Sequence, residues 1–425
     1  MLTFWGRRQQ FCDGINRRGF LQLGAFGVGL SLADLYRAQA ATSSSRPSIA
    51  TPAKSAIMIY LPGGPSHLDM YDPKPDAPPE FRGEFQSIPT AVPGVRFSEY
   101  MPLQARMMDR LAVVRSLISV DEHSDSLVMT GYPQRVNQAA SQGQHPSFGA
   151  VLSKLRGGNE VPPFVSLRGM SMGTEPGYLG VAHRPFTPSG PGKENLRLAY
   201  GVTSARMTDR QSLLSQFDNT RREIDASGTM AGLDAFTQRA FDMIASGTVR
   251  KALDLSQEDP RSRDRYKGIE QFLTARRLVE AGVGCVTLSY GGWDTHSGNF
   301  KTLRKQLPML DRGIANLLDD LRDRGMENDV VTVVRTPKVN NNDGGRDHWA
   351  PVMSAMVAGG GLNMGQVVGA SSARGEYPKD RPLKVPHLLA TLYRAMGIDA
   401  STTFPNGSGR PMYILDDREL VTELL

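Results

Sequence analysis

Two hydrophobic periods alternate along the chain. Apolar runs rich in β-branched residues recur at Lys54–Leu61, Leu111–Ile118, residues 164–167, Val283–Tyr290, Asp329–Val334, Ser354–Ala358 and Gln366–Gly369. Runs of this length, bounded by Gly, Pro and polar residues, read as buried strands. Between them the period lengthens to that of a helix. After Ser297-Gly298 the apolar positions are Phe300, Leu303, Leu307, Leu310, Ile314, Leu317, Leu318 and Leu321, a single stripe on one helical face. Shorter helical patterns cover Pro102–Asp109, a turn reaching Met129, and Val385–Met396. From about residue 204 to 281 the pattern is helical and amphipathic, with no strand signal. Strands alternating with helices predict an α/β fold with a doubly wound, mostly parallel sheet. It would form one domain over residues 54–425, with a helical insertion at about 204–281. The proline-rich residues 72–95 read as an extended surface segment, and residues 41–53, rich in Ser, Thr, Ala and Pro, as a disordered linker.

Composition changes this picture mainly at the N-terminus. Half of the net charge of +6 lies in residues 1–40, with five arginines against two aspartates. The small remaining excess predicts neither nucleic-acid binding nor a strong membrane field. Asn16-Arg17-Arg18-Gly19-Phe20-Leu21 matches the twin-arginine export pattern. A mildly apolar segment follows, and then Ala38-Gln39-Ala40, an A-x-A cleavage site. Residues 1–40 are therefore expected to be a signal peptide read by the twin-arginine translocase, which places the protein in the periplasm or outside the cell. The apolar run is too short for a stable membrane span. Cys12 lies in the leader, so Cys285 stands alone beyond it and no internal disulfide is expected.

The candidate chemistry collects where strands end. In open α/β sheets, ligands sit beyond the carboxyl ends of the strands. His67 and Asp69 follow the first strand, His123 to Ser126 the second, Asp294 and His296 the run at 283–290, and Asp343, Asp347 and His348 lie on the loop after 329–334. Carboxylate oxygens and imidazole nitrogens delivered together suit a divalent cation, Zn²⁺ or Mn²⁺ first, with Ca²⁺ or Mg²⁺ as alternatives. For the Asp294/His296 pair alone, the other reading is that Asp294 caps the following helix and His296 lies on the surface. A hydrolytic site also needs a hydroxyl nucleophile; Ser124 and Ser126 are the candidates, at a helix N-terminus that would favour an anionic substrate. Arg115, Arg168 or Arg346 could bind an anionic ester. His145, His183 and His387 lie away from these loops. Neither Gly-x-Gly-x-x-Gly nor a phosphate-loop motif occurs, so no nucleotide cofactor is indicated.

Several motifs resemble a family of exported proteins known as domain of unknown function 1501. They are Gly63-Gly-Pro-Ser-His-Leu-Asp69, Thr174-Glu-Pro-Gly-Tyr178, Gly291-Gly-Trp-Asp-Thr-His296, Gly345-Arg-Asp-His-Trp349 and Phe404-Pro-Asn-Gly-Ser-Gly-Arg-Pro411. The resemblance runs over nearly the whole chain. It implies a three-layer α/β/α sheet of the alkaline phosphatase and sulfatase type, with one or two divalent metals. Carried onto this sequence, it implies Asp69 as ligand of one metal and Asp294, His296 and His348 as ligands of the other; Asp343 or Asp347 of the Asn-rich loop could substitute for a carboxylate ligand missing from the strand end. Ser124 would be the nucleophile beside His123, and Arg346 and His67 would hold the substrate. The implied activity is hydrolysis of a phosphate or sulfate ester, on a small molecule or a polysaccharide. The C/S-x-P-x-R pattern of common sulfatases is absent. The chain departs from the family after Val334, where Arg335-Thr336-Pro337 follows directly and a Gly-Glu-Phe-Gly-type segment is missing. That departure supports an alternative: a non-catalytic periplasmic binding or scaffolding protein that retains the fold, with a shortened strand end.

Overall fold

The computed structural model describes residues 51–122, 124–139, 144–157, 161–167, 175–188, 246–295, 297–336, 339–340, 346–347 and 349–425. Side chains are described for all of these except 138–139, 334–340 and 346–347. The chain divides into Met1–Ser48, which lies outside the described residues, and Ile49–Leu425.

Eight strands build the main sheet of the second unit: β1 (Ser55–Tyr60), β2 (Ala112–Ile118), β3 (Phe164–Ser166), β4 (Cys285–Ser289), β5 (Val330–Thr336), β6 (Met353–Gly359), β7 (Gln366–Val368) and β8 (Leu383–Lys384). Their order is β7-β2-β6-β5-β1-β4-β3, and β8 also pairs with β2. Every pairing is parallel except those of β6, which runs antiparallel to both β2 and β5. The α/β class and the mostly parallel sheet are therefore present.

Alternation along the strands divides the core into two layers. Ile57 and Ile59 of β1 face a cluster with Val286 and Leu288 of β4. That side is covered by α1 (Pro102–Arg106), α4 (Glu270–Glu280) and α5 (Asn299–Asp323), through Ala105, Phe272, Leu273, Leu303, Leu310 and Leu317. Ala56 and Met58 face the opposite side, with Cys285, Val331 and Val333. There α3 (Phe148–Arg156) and α6 (Val385–Ala395) complete the third layer through Phe148, Val151, Leu388 and Tyr393. A strand packed on both faces has no solvent side, which is why these runs are apolar at consecutive positions.

Three expectations change. The linker does not extend to residue 53, because Ala53 is buried and its N–H donates to the Ala395 carbonyl at 2.8 Å. Residues 72–95 are not simply extended on the surface. Asp72 and Phe85 are buried, Pro79–Arg82 is a helical turn, and Ser87–Pro89 pairs with Arg96–Ser98 as a hairpin. The strand after Asp329 is not shortened at Val334. β5 runs to Thr336, with Arg335 opposite Ala355 and Thr336 opposite Ser354. Of the helical insertion, residues 246–281 are described, with helices at Thr248–Leu253, Pro260–Arg265 and α4; residues 204–245 lie outside the described residues.

Candidate functional site

Because β1, β2, β4 and β5 are parallel, their carboxyl ends share one edge of the sheet. The connection from β5 into antiparallel β6 turns over on that same edge. The loops after β1 and β4 leave side by side: Tyr290 N–H donates to the Tyr60 carbonyl at 3.0 Å, and Trp293 N–H to the Pro62 carbonyl at 2.8 Å. Gly63 sits at the tightest point, with φ +82°, and a Cβ there would lie 2.5 Å from the Asp294 nitrogen. A side chain at 63 would push the two loops apart, and the left-handed backbone also favours glycine.

Trp293 anchors the second loop. Its ring is fully buried and its Nε1–H donates to the Tyr290 carbonyl at 2.7 Å. Asp294, between buried Trp293 and Thr295, is exposed. The following helix α5 begins at Asn299, with Gly298 at its cap and no side-chain capping bond, so Asp294 is not its cap. Asn299 instead connects the loops. Its Oδ1 accepts the Thr295 hydroxyl at 2.6 Å, which leaves Nδ2 to donate to Asp69 Oδ2 at 3.1 Å. One amide presents an acceptor and a donor at opposite positions, so the Thr295 bond fixes which atom faces Asp69. Asp69 is itself buried.

His67 is fully buried and donates from Nε2 to the Gly375 carbonyl at 2.9 Å. The imidazole thereby ties the loop after β1 to the turn at 372–377. The same turn receives the loop before β6, because Trp349 Nε1–H donates to the Glu376 carbonyl and its ring packs edge-on against Tyr377. The end of β2 is tied in as well, by Ser119 N–H donating to the Ala350 carbonyl at 2.9 Å.

After β2, Ser124 is half-buried and its Oγ accepts the Ser126 N–H at 3.3 Å. Ser126 is buried and donates to the Tyr132 carbonyl at 2.8 Å, which makes it a structural residue of the turn. At the helix N-terminus where an anion site is expected, a carboxylate accepts backbone donors. α2 (Ser126–Thr130) has only five residues, and the Glu122 carboxylate already accepts from Leu127 N–H at 3.2 Å and Gln134 N–H at 2.6 Å.

Arg115 is likewise occupied. It faces the buried Asp72 at 3.4 Å and donates to the Arg96 carbonyl at 3.0 Å. Lys74 approaches the same Asp72 oxygen at 2.9 Å, and the Ser371 hydroxyl donates to the other. Burial alone would raise the Asp72 carboxyl, but Arg115 and Lys74 outweigh it and hold the group below the ordinary carboxylate range. Asp72 lies only three residues beyond Asp69, yet nothing in the local pattern marks it.

His123, His296, His348 and Arg168 lie outside the described residues. Arg346 and Asp347 are described in the main chain only, paired with Asn340 and Val339. The three histidines set apart have other surroundings: His145 stacks on Tyr132 at 3.5 Å, His183 Nδ1 lies 3.1 Å from the Ser153 hydroxyl, and His387 Nε2 lies 3.0 Å from Asp417. Among the described residues no three His, Cys, Asp or Glu side chains form a group that could hold a metal ion.

The model of a family described as "Protein of unknown function (DUF1501)" matches residues 53–425. The chain belongs to that family. No curated protein matches it. Among solved structures, this DUF1501 chain is similar to Ps i-CgsB in complex with k-i-k-neocarrahexaose, at 11% identity and a TM-score of 0.38, covering 82% of this chain and 73% of that one. It is also similar to the lipoteichoic acid synthase LtaP from Listeria monocytogenes, at 12% identity and a TM-score of 0.35, covering 92% and 79%. A third is the PsFucS1 sulfatase from Pseudoalteromonas sp., at 11% identity and a TM-score of 0.35, covering 86% and 70%. Likeness at this level decides neither the chemistry nor the substrate of the DUF1501 chain.

Proposed function

We propose that this DUF1501 protein is an exported, metal-dependent hydrolase of phosphate or sulfate esters. The observation that carries the reading is the delivery of Asp69 and Asp294 by the loops of two adjacent parallel strands, with Asp69 oriented by the Asn299 amide. Two carboxylates on neighbouring loops are hard oxygen donors of the kind a divalent cation takes, and the described side chains alone do not complete a metal site. Asp69, Asp294, His296, Asp347 and His348 would hold one or two such ions. A bound cation supplies Lewis-acid polarisation of the ester oxygen. In this reading Ser124 is the nucleophile, its Oγ accepting an N–H from Ser126, and His123 would take its proton. Arg346 pairs with the anionic ester oxygens. The leader carries the protein to the periplasm or beyond, and among the described residues no helix is long and apolar enough to cross a membrane.

A second reading, a binding or scaffolding protein that keeps the fold without catalysis, is favoured by one observation. Arg335 and Thr336 continue the ladder with β6, at the place where the resemblance implies an acidic residue. Metal analysis of the purified protein, followed by a screen of aryl phosphate, phosphodiester and sulfate esters, separates the two. About two cations per chain with turnover of one ester class supports the hydrolase. A metal-free, inactive protein supports the binding reading.

A further inference from the structure

An open surface depression of 380 Å³ lies over the start of α5, lined by Ser297, Gly298, Lys301, Thr302, Lys305 and Gln306. Its volume lies in the range of small-molecule sites, roughly 300–1,000 Å³. Lys301 and Lys305 are four apart, so their side chains rise from the same helical face. Both are exposed, and neither holds a carboxylate among the described residues. Lys54, Lys74 and Lys384 meet Asp329, Asp72 and Asp417. Lys154, Lys251, Lys267 and Lys379 hold no carboxylate among the described residues either, so it is their place beside this cleft that sets Lys301 and Lys305 apart. Arg304, between the two lysines in sequence, turns away to Glu84. The cleft is joined to the candidate site by Gln306, whose Nε2–H donates to the Gly292 carbonyl at 3.2 Å, two residues before Asp294. Ser297 and Thr302 add hydroxyls, and no aromatic ring lines the cleft. Two unneutralised ammonium groups with hydroxyl neighbours suit an anionic oxygen cluster, whereas a stacked nucleobase would need an aromatic platform.

We propose that this cleft binds a second anionic group of the substrate, so that the protein acts on molecules carrying several sulfate or phosphate esters. The proposal rests on the ester-hydrolase reading above and names its substrate class. The ester to be cleaved sits at the Asp69/Asp294 edge, and the neighbouring anionic group lies between Lys301 and Lys305. Ionic pairing at an exposed cleft weakens with salt, so affinity for the second group falls as ionic strength rises.

Isothermal titration of the full chain tests this without reading turnover. The probes are a polysulfated disaccharide and inorganic tripolyphosphate, set against inorganic sulfate and inorganic phosphate. At least one polyanion is expected to bind more tightly than its single-anion counterpart, and which one does so distinguishes sulfate from phosphate esters. Lys301→Gln with Lys305→Gln is expected to weaken that binding about ten-fold. Lys154→Gln with Lys267→Gln, the same charge change at exposed positions elsewhere, is expected to leave it at the wild-type value. The proposal is overturned if the protein shows no preference for the polyanions. It is equally overturned if the cleft variant binds as tightly as wild type, or if the remote pair loses as much. Those outcomes leave ester hydrolysis by the wild type standing, and an absence of hydrolysis with the lysine-dependent binding intact removes the hydrolase reading alone.

Discussion

Asn299 donates its side-chain amide to the Asp69 carboxylate at 3.1 Å across a sequence separation of 230 residues. Both side chains are buried, and the Thr295 hydroxyl fixes the amide's orientation from the other side. This contact makes the position of a first-strand carboxylate depend on the first residue of the helix after β4.

Asn299→Ala removes that support. The buried Asp69 oxygen and the Thr295 hydroxyl each lose a partner, which costs about 1–3 kcal/mol in thermal or urea unfolding. If Asp69 is a metal ligand, cation affinity falls by roughly 10–100-fold, the usual effect of losing a group that orients a ligand. Calorimetric titration of Zn²⁺ and Mn²⁺ reads the second effect. Unchanged affinity in the folded variant removes Asp69 from the metal site.

His348→Ala is the sharpest test of the cation assignment. As a ligand, His348 contributes directly to binding, and its loss lowers affinity by at least the ~10–100-fold seen when a supporting residue is removed. Wild-type metal content in a stable His348→Ala protein would end that assignment.

Asp72→Asn leaves the Arg115 guanidinium beside a neutral group in a buried position. Breaking such a pair from one side costs about 3–5 kcal/mol, measured as a shift in the urea midpoint at constant slope. A cost under ~1 kcal/mol, the range of exposed pairs, would mean that solvent reaches Arg115 freely.

Acid should act on stability in two opposite ways. Asp72 has a depressed carboxyl, so its contribution is complete above its unfolded value near ~4 and is lost as the pH falls through the lower folded value. Asp311 behaves in reverse. Burial raises its carboxyl to about 6, although the N–H groups of Leu103 and Gln104 donate to it at 2.8 and 2.9 Å and pull it down. The folded state therefore takes up a proton first, and the Asp311 contribution grows by about 1 kcal/mol as the pH falls from ~7 to ~5. Urea unfolding at several pH values should show that gain in wild type and lose it in Asp311→Asn, whatever that variant's absolute stability. An identical slope in both proteins would assign the gain to another group.

Arg17→Lys with Arg18→Lys should keep the precursor in the cytoplasm, because the export receptor reads the arginine pair as an address. Cell fractionation with an antibody to the chain measures it. Normal periplasmic levels of the double variant would end the twin-arginine leader assignment.

The sequence by itself determined the main strands and long helices of this protein and the loops on which its candidate chemistry collects. The run at Lys54–Leu61 contains the strand Ser55–Tyr60, and the leucine stripe after Gly298 is the helix Asn299–Asp323. These were legible because a strand or helix answers to the period of its own neighbouring residues. Tertiary structure decided which strands become neighbours, and therefore everything that depends on pairing. The apolar run at Ser354–Ala358 looks like the others, yet β6 enters antiparallel between β2 and β5. Arg115 reads as a candidate anion binder until Asp72 is found against it, and nothing along the chain shows that the Gly375 carbonyl meets the His67 ring. Gly63 passes as an ordinary loop glycine until the Asp294 backbone is seen where its Cβ would stand. Such partners lie tens to hundreds of residues apart, and no local period encodes a contact between segments that only folding brings together.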